Sequence, residues 1–113
     1  MKKILTVMIF YLLSSVSFAE DVIVHNFSVK PIEVKENGYA KLSFKIDVQN
    51  TGSAGNVYIE VAGLDKYGFE VTFTMLEDRI NRSESKTLTK TRTFSGDELD
   101  RISQWVIKKI DKY

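Results

Sequence analysis

Residues 39–75, YAKLSFKIDVQNTGSAGNVYIEVAGLDKYGFEVTFTM, hold three runs of alternating apolar and polar side chains separated by two glycine-bearing turns. Leu42, Phe44, Ile46 and Val48 alternate with Lys41, Ser43, Lys45, Asp47 and Gln49; a period of two gives a strand one buried and one wet face. Val57, Ile59 and Val61 stand against Tyr58, Glu60 and Ala62 in the second run, and Phe69, Val71, Phe73 and Met75 against Glu70, Thr72 and Thr74 in the third. Asp65-Lys66-Tyr67-Gly68 joins those two runs, with Asp suited to the first position of a type I turn and Gly to the left-handed position of a G1 bulge. A turn pairing Asp65 with Phe69 sets Val61 opposite Phe73 and Ile59 opposite Met75. On this register Phe73, Val71 and Met75 face the core, Phe73→Ala is severe and Thr72→Ala nearly neutral.

Upstream, Met1-Lys2-Lys3 precedes an apolar segment from Ile4 to Leu13 and then Ser14 to Ala19. A charged start, a short apolar run and small residues at Ser17 and Ala19 are the marks of a Sec-type signal peptide cleaved after Ala19. The apolar run falls short of the roughly 20 residues needed to cross a bilayer, so no stable membrane insertion is expected after cleavage. Residues 20–113 then form one domain. The two leader lysines gone, 14 basic and 15 acidic side chains remain, a balance unlike the basic surface that nucleic acid or anionic lipid attracts.

The chain has no cysteine, so its stability rests on packing without disulfides, and it has no lipid-modified cysteine of a bacterial lipoprotein. The expected location is periplasmic or secreted, in a bacterium. The sequons at Asn26 and Asn81 matter only in a eukaryotic secretory route.

Val22 to Lys30 reads as the opening strand, with Ile23, His25, Phe27 and Val29 on one face; Pro31 marks an edge or a break, and Ile32 and Val34 can continue the strand. Glu36-Asn37-Gly38 is a turn. Leu76 to Glu84, with five charges around Ile80, reads as a solvated connection. Lys86 to Phe94 alternates threonines with Leu88, Lys90 and Arg92, a strand with a thin apolar face near an edge. Ser95-Gly96-Asp97-Glu98 fits a capping box, and Leu99, Ile102, Val106 and Ile110 recur at helical spacing, while Trp105-Val106-Ile107 favours a strand. The expectation is one helical turn, Asp97 to Ile102, followed by a strand, Ser103 to Ile110, with Trp105 packed over the core; a helix through Lys109 is the alternative.

Six to seven short strands, connections of four to ten residues and no repeat give an all-β, immunoglobulin-like antiparallel sandwich with a short helical turn before its last strand. The run Phe44-Lys45-Ile46-Asp47-Val48-Gln49-Asn50-Thr51-Gly52, then Val57 to Val61, then Leu64-Asp65-Lys66-Tyr67-Gly68 resembles the FxLYD-type family of small bacterial exported domains. The resemblance covers roughly residues 40 to 76 and departs from the naming motif at Val61-Ala62-Gly63-Leu64-Asp65. It implies an immunoglobulin-like sandwich without a common chemistry.

No grouping of residues marks a catalytic, cofactor or metal site. His25 is the only histidine, which leaves a zinc site short of ligands and a triad without neighbours. Asp97, Glu98 and Asp100 lack the spacing of a calcium loop and suit a helix start. Asp47, Glu60 and Asp65 lie on outward faces or in a turn, not as a facing carboxylate pair. Trp105 reads as core, with a sugar-stacking role as the alternative. Tyr58, outward on a strand, and Tyr67, at a turn tip, are candidate partner contacts. The chain therefore reads as a non-catalytic interaction or structural module of the cell envelope that contacts another envelope or extracellular protein. Binding of a carbohydrate or cell-wall fragment through Trp105 or Tyr58 is the alternative.

Overall fold

A computed structural model describes Met8–Ile9 and residues 21–113. The expected leader, residues 1–19, lies outside the described residues except for the backbone of Met8–Ile9. That two-residue strand is β1; the others are β2 (Val22–Val34), β3 (Ala40–Asn50), β4 (Gly55–Leu64), β5 (Glu70–Ile80), β6 (Ser85–Phe94) and β7 (Gln104–Lys112), with helix α1 (Gly96–Arg101) between β6 and β7. The six long strands make two three-stranded antiparallel sheets, β2-β3-β6 and β5-β4-β7, and β1 adds to the outer edge of β2. The chain crosses to the second sheet after β3 and returns for β6, the strand exchange of an immunoglobulin-like sandwich.

The alternation along β3 and β4 is realised: Leu42, Phe44, Ile46, Val48, Val57, Ile59 and Val61 are buried between the sheets. Trp105 is fully buried, its ring edge-on to Phe44 with centroids 5.0 Å apart and 5.8 Å from Phe94. The N-cap half of the expected box forms, with the Ser95 side chain accepting from the Glu98 N–H and a six-residue helix ending before β7. A longer helix is excluded because Trp105, Ile107 and Ile110 are needed as the buried face of β7.

The register of β5 differs from the expectation. The turn closes as read: Asp65 N–H donates to Phe69 O, Gly68 N–H to Asp65 O, and Gly68 has φ +89°. Leu64 then pairs with Glu70 but Gly63 with Thr72, so Val71 is an extra residue, a bulge that inverts the faces of everything after it. Val61 stands opposite Thr74 and Ile59 opposite Leu76, while Phe73 and Met75 pair with Ala62 and Glu60 on the outside. Phe69, Phe73 and Met75 are 70, 42 and 41% exposed. The residues beyond Met75 supply the reason. Leu76 and Ile80 have the opposite parity and are buried, and the segment from 76 to 80 is strand where a solvated connection was expected. Three buried rings already fill the adjacent core, so the inverted register admits two aliphatic chains and leaves Phe73 and Met75 half-covered outside. The severe effect expected of Phe73→Ala is therefore withdrawn.

A second bulge lies in β2, between Val24 and Asn26. It separates Ile23 and His25, both exposed, from the buried Phe27 and Val29 with which the sequence grouped them.

Inversion also brings Thr74 inward, where its Oγ1 has no hydrogen-bond partner among the described residues. A buried hydroxyl without a partner costs more than an isosteric methyl. Thr74→Val is expected to raise stability by about 1–2 kcal/mol, read as a higher melting temperature; an unchanged or lower value would place the hydroxyl in contact with a partner or with water.

Candidate interaction face

The two outer faces of the sandwich have different chemistry. On β2-β3-β6, Lys41, Ser43, Lys45, Asp47 and Gln49 of β3 lie between Glu33, Lys30, Ser28, Asn26 and the exposed Ile23 on one side and Thr93, Thr91, Thr89, Thr87 and Ser85 on the other. Those side chains engage one another: Thr87 Oγ1 donates to Asp47 Oδ1 at 2.6 Å, and His25 Nε2 lies 3.0 Å from Gln49 Oε1. Among the described residues, that amide is the hydrogen-bond partner of the His25 ring. His25 serves as an exposed strand residue paired with an amide.

On β5-β4-β7 the pairing builds an apolar row, Phe73–Ala62–Val106, beside Met75–Glu60–Lys109. Ala62 is only 2% exposed although it points outward, because its larger cross-strand neighbours Phe73 and Val106 flank it. Charges rim this row. Lys108 Nζ meets Glu70 Oε1 at 2.8 Å and Lys109 Nζ meets Asp111 Oδ2 at 3.4 Å, pairs that in water add little stability. Two backbone carbonyls of β5 beside the row are engaged by cationic side chains. Arg92 of β6 donates to Phe73 O at 2.7 Å and Lys86 to Arg79 O at 3.0 Å, cationic capping of the kind that guards sheet edges.

Of the two tyrosines singled out from sequence, Tyr58 lies on this face, half-buried, in the row Glu77–Tyr58–Asp111. Its hydroxyl donates to Glu60 Oε2 at 2.6 Å. That bond, then desolvation and the surrounding carboxylates, pushes its pKa up to about 12. A folded value above the ordinary one means that the contribution to stability is complete below about pH 10 and is lost as pH rises through about 12. Ultraviolet titration is expected to show a component near pH 12 that disappears in Tyr58→Phe; a titration unchanged by the substitution contradicts the Glu60 bond.

Tyr67 is 73% exposed at the β4–β5 turn, about 20 Å along β4 from Tyr58 at ~3.3 Å per residue. The two tyrosines thus do not share one contact point. Trp105 offers no surface for stacking, since it is 0% exposed. Asp97 and Glu98 occupy the first turn of α1. Among the described residues no group of three or more His, Cys, Asp or Glu is placed to hold a metal ion.

Phe73, Met75 and Val106 were not legible as surface residues. The available signal was the parity change between Phe69-Val71-Phe73-Met75 and Leu76-Ile80, which demands a bulge somewhere in the strand.

No family model matches the chain, and no curated protein matches it.

Proposed function

We propose that the protein is an exported, non-catalytic β-sandwich of the bacterial envelope, periplasmic or secreted, that binds another envelope or extracellular protein through the outer face of β5-β4-β7. The leader-like N-terminus and the resemblance to FxLYD-type exported domains support the setting. The observation that carries the reading is the half-exposed pair Phe73 and Met75 beside Ala62 and Val106, on a fold whose other face is polar throughout β3 and β6.

Apolar side chains at the centre of a charged rim are the makeup of a protein contact. Its size sets the affinity class. Three strands about 4.8 Å apart and ten residues long present roughly 450–500 Å², so a partner of equal area makes a contact at the low, transient end of specific interfaces. The partner that fits offers an apolar centre, with basic groups toward Glu70 and Glu77 and acidic groups toward Lys108 and Lys109.

Crosslinking capture from the native envelope fraction tests this. The wild-type protein is expected to enrich a partner and Phe73→Glu to lose it while still unfolding in one cooperative transition, because the substituted side chain lies on the surface, 42% exposed. Equal capture by Phe73→Glu overturns the assignment of the face.

A further inference from the structure

We infer that the cleft between the β4–β5 turn and the exit of α1 is a saccharide site, separate from the outer face proposed for protein contact. Ser103 N–H donates to Leu64 O at 2.7 Å, fastening the segment after α1 to the end of β4. A cavity of about 410 Å³ opens between the turn residues Asp65, Lys66 and Tyr67 and the segment from Asp100 to Ser103. That volume lies within the range of small-ligand sites.

The lining suits a largely neutral polyol. Two acids, Asp65 and Asp100, are matched by two bases, Lys66 and Arg101, so the site has no net charge to select an ion. Carboxylates accept from adjacent hydroxyls, and a guanidinium donates two parallel hydrogen bonds to ring and hydroxyl oxygens. Asp65 Oδ1 accepts from the N–H groups of Tyr67 and Phe69, each at 2.9 Å. This fixes the turn backbone that carries the Tyr67 ring, leaving the ring 73% exposed beside the polar groups. An aromatic face is electron-rich and attracts the polarised C–H bonds of a pyranose. Lys66 Nζ lies over the Tyr67 ring, 5.2 Å from its centroid, so Tyr67 is the stacking platform through its opposite face, with Arg101 donating to the hydroxyls.

The cleft has a built-in reporter. A Cβ at Gly63 would sit 3.1 Å from both Ile102 Cδ1 and Trp105 Cη2, so Ile102 in the cleft wall lies next to the single tryptophan.

The test is a glycan array of neutral, N-acetylated and acidic oligosaccharides, followed by amide NMR and tryptophan-fluorescence titration with the best binder. The expected result is saturable binding of a neutral or N-acetylated glycan, with shifts concentrated at residues 65–67 and 100–103. Tyr67→Ala should weaken it at least tenfold with unchanged melting, while Tyr67→Phe keeps it within about threefold. Phe73→Glu should leave it intact, which separates this site from the protein-binding face. An array without signal, binding only of acidic glycans, shifts confined to other residues, or undiminished affinity in Tyr67→Ala each overturns the inference.

Discussion

Trp105→Ala is expected to cost about 3–5 kcal/mol, the range for emptying a buried aromatic site. The indole is 0% exposed, stands edge-on to Phe44 at 84° and 5.0 Å, and lies 5.8 Å from Phe94. It also occupies the space above Gly63, where an added Cβ would come within 2.9 Å of Cζ3. The ring therefore joins β7 to β3, β4 and β6 across both sheets. With a total stability of about 5–15 kcal/mol for a domain of this kind, the variant keeps a small margin or unfolds. Urea unfolding followed by circular dichroism measures it; a midpoint close to the wild type would mean that the three-ring cluster is not the centre of the core.

Asn50→Ala is expected to cost about 2–4 kcal/mol by stranding buried backbone groups. Asn50 is 0% exposed at the end of β3. Its Nδ2 donates to Ser53 O at 2.9 Å and to Ile80 O at 3.0 Å, and its Oδ1 accepts from Gly52 N–H at 3.0 Å. One amide thereby fixes the β3–β4 connection and ties it to the end of β5 in the opposite sheet. Lys112 closes the same corner, donating to Ser53 O at 2.8 Å and forming an ion pair with Asp21. That ammonium draws the Asp21 carboxyl below its ordinary range. Thermal melts check the prediction: loss of less than about 1 kcal/mol would show that water replaces the amide at this corner.

Much of the fold was legible because most long strands carry one consistent signal. In β3 every second residue from Leu42 to Val48 is apolar, and in β4 the same holds from Val57 to Val61, so burial, pairing and face agree. The Ser95 cap and the change to a strand at Trp105 were likewise readable from local chemistry. β5 was not, because its apolar residues change parity midway, and no residue type marks which position absorbs the slip. The bulge is set by what the opposite sheet and Trp105 leave room for, a tertiary matter. The same limit hid the proposed interaction face, since Phe73 and Met75 are core residues on one register and surface residues on the other. The positions of Tyr58 and Tyr67 were legible because outward placement on β4 and location at a turn do not depend on that slip.

The absence of native cysteine allows the inverted register of β5 to be tested directly by single-cysteine labelling. Phe73→Cys, Thr74→Cys, Met75→Cys and Leu76→Cys are made one at a time, and the rate of reaction with a small thiol reagent is measured under native conditions. The bulge at Val71 predicts fast labelling at 73 and 75, with protection at 74 and 76 that is lost on unfolding. The reverse pattern, protected at 73 and 75 and open at 74 and 76, contradicts the register and with it the apolar face.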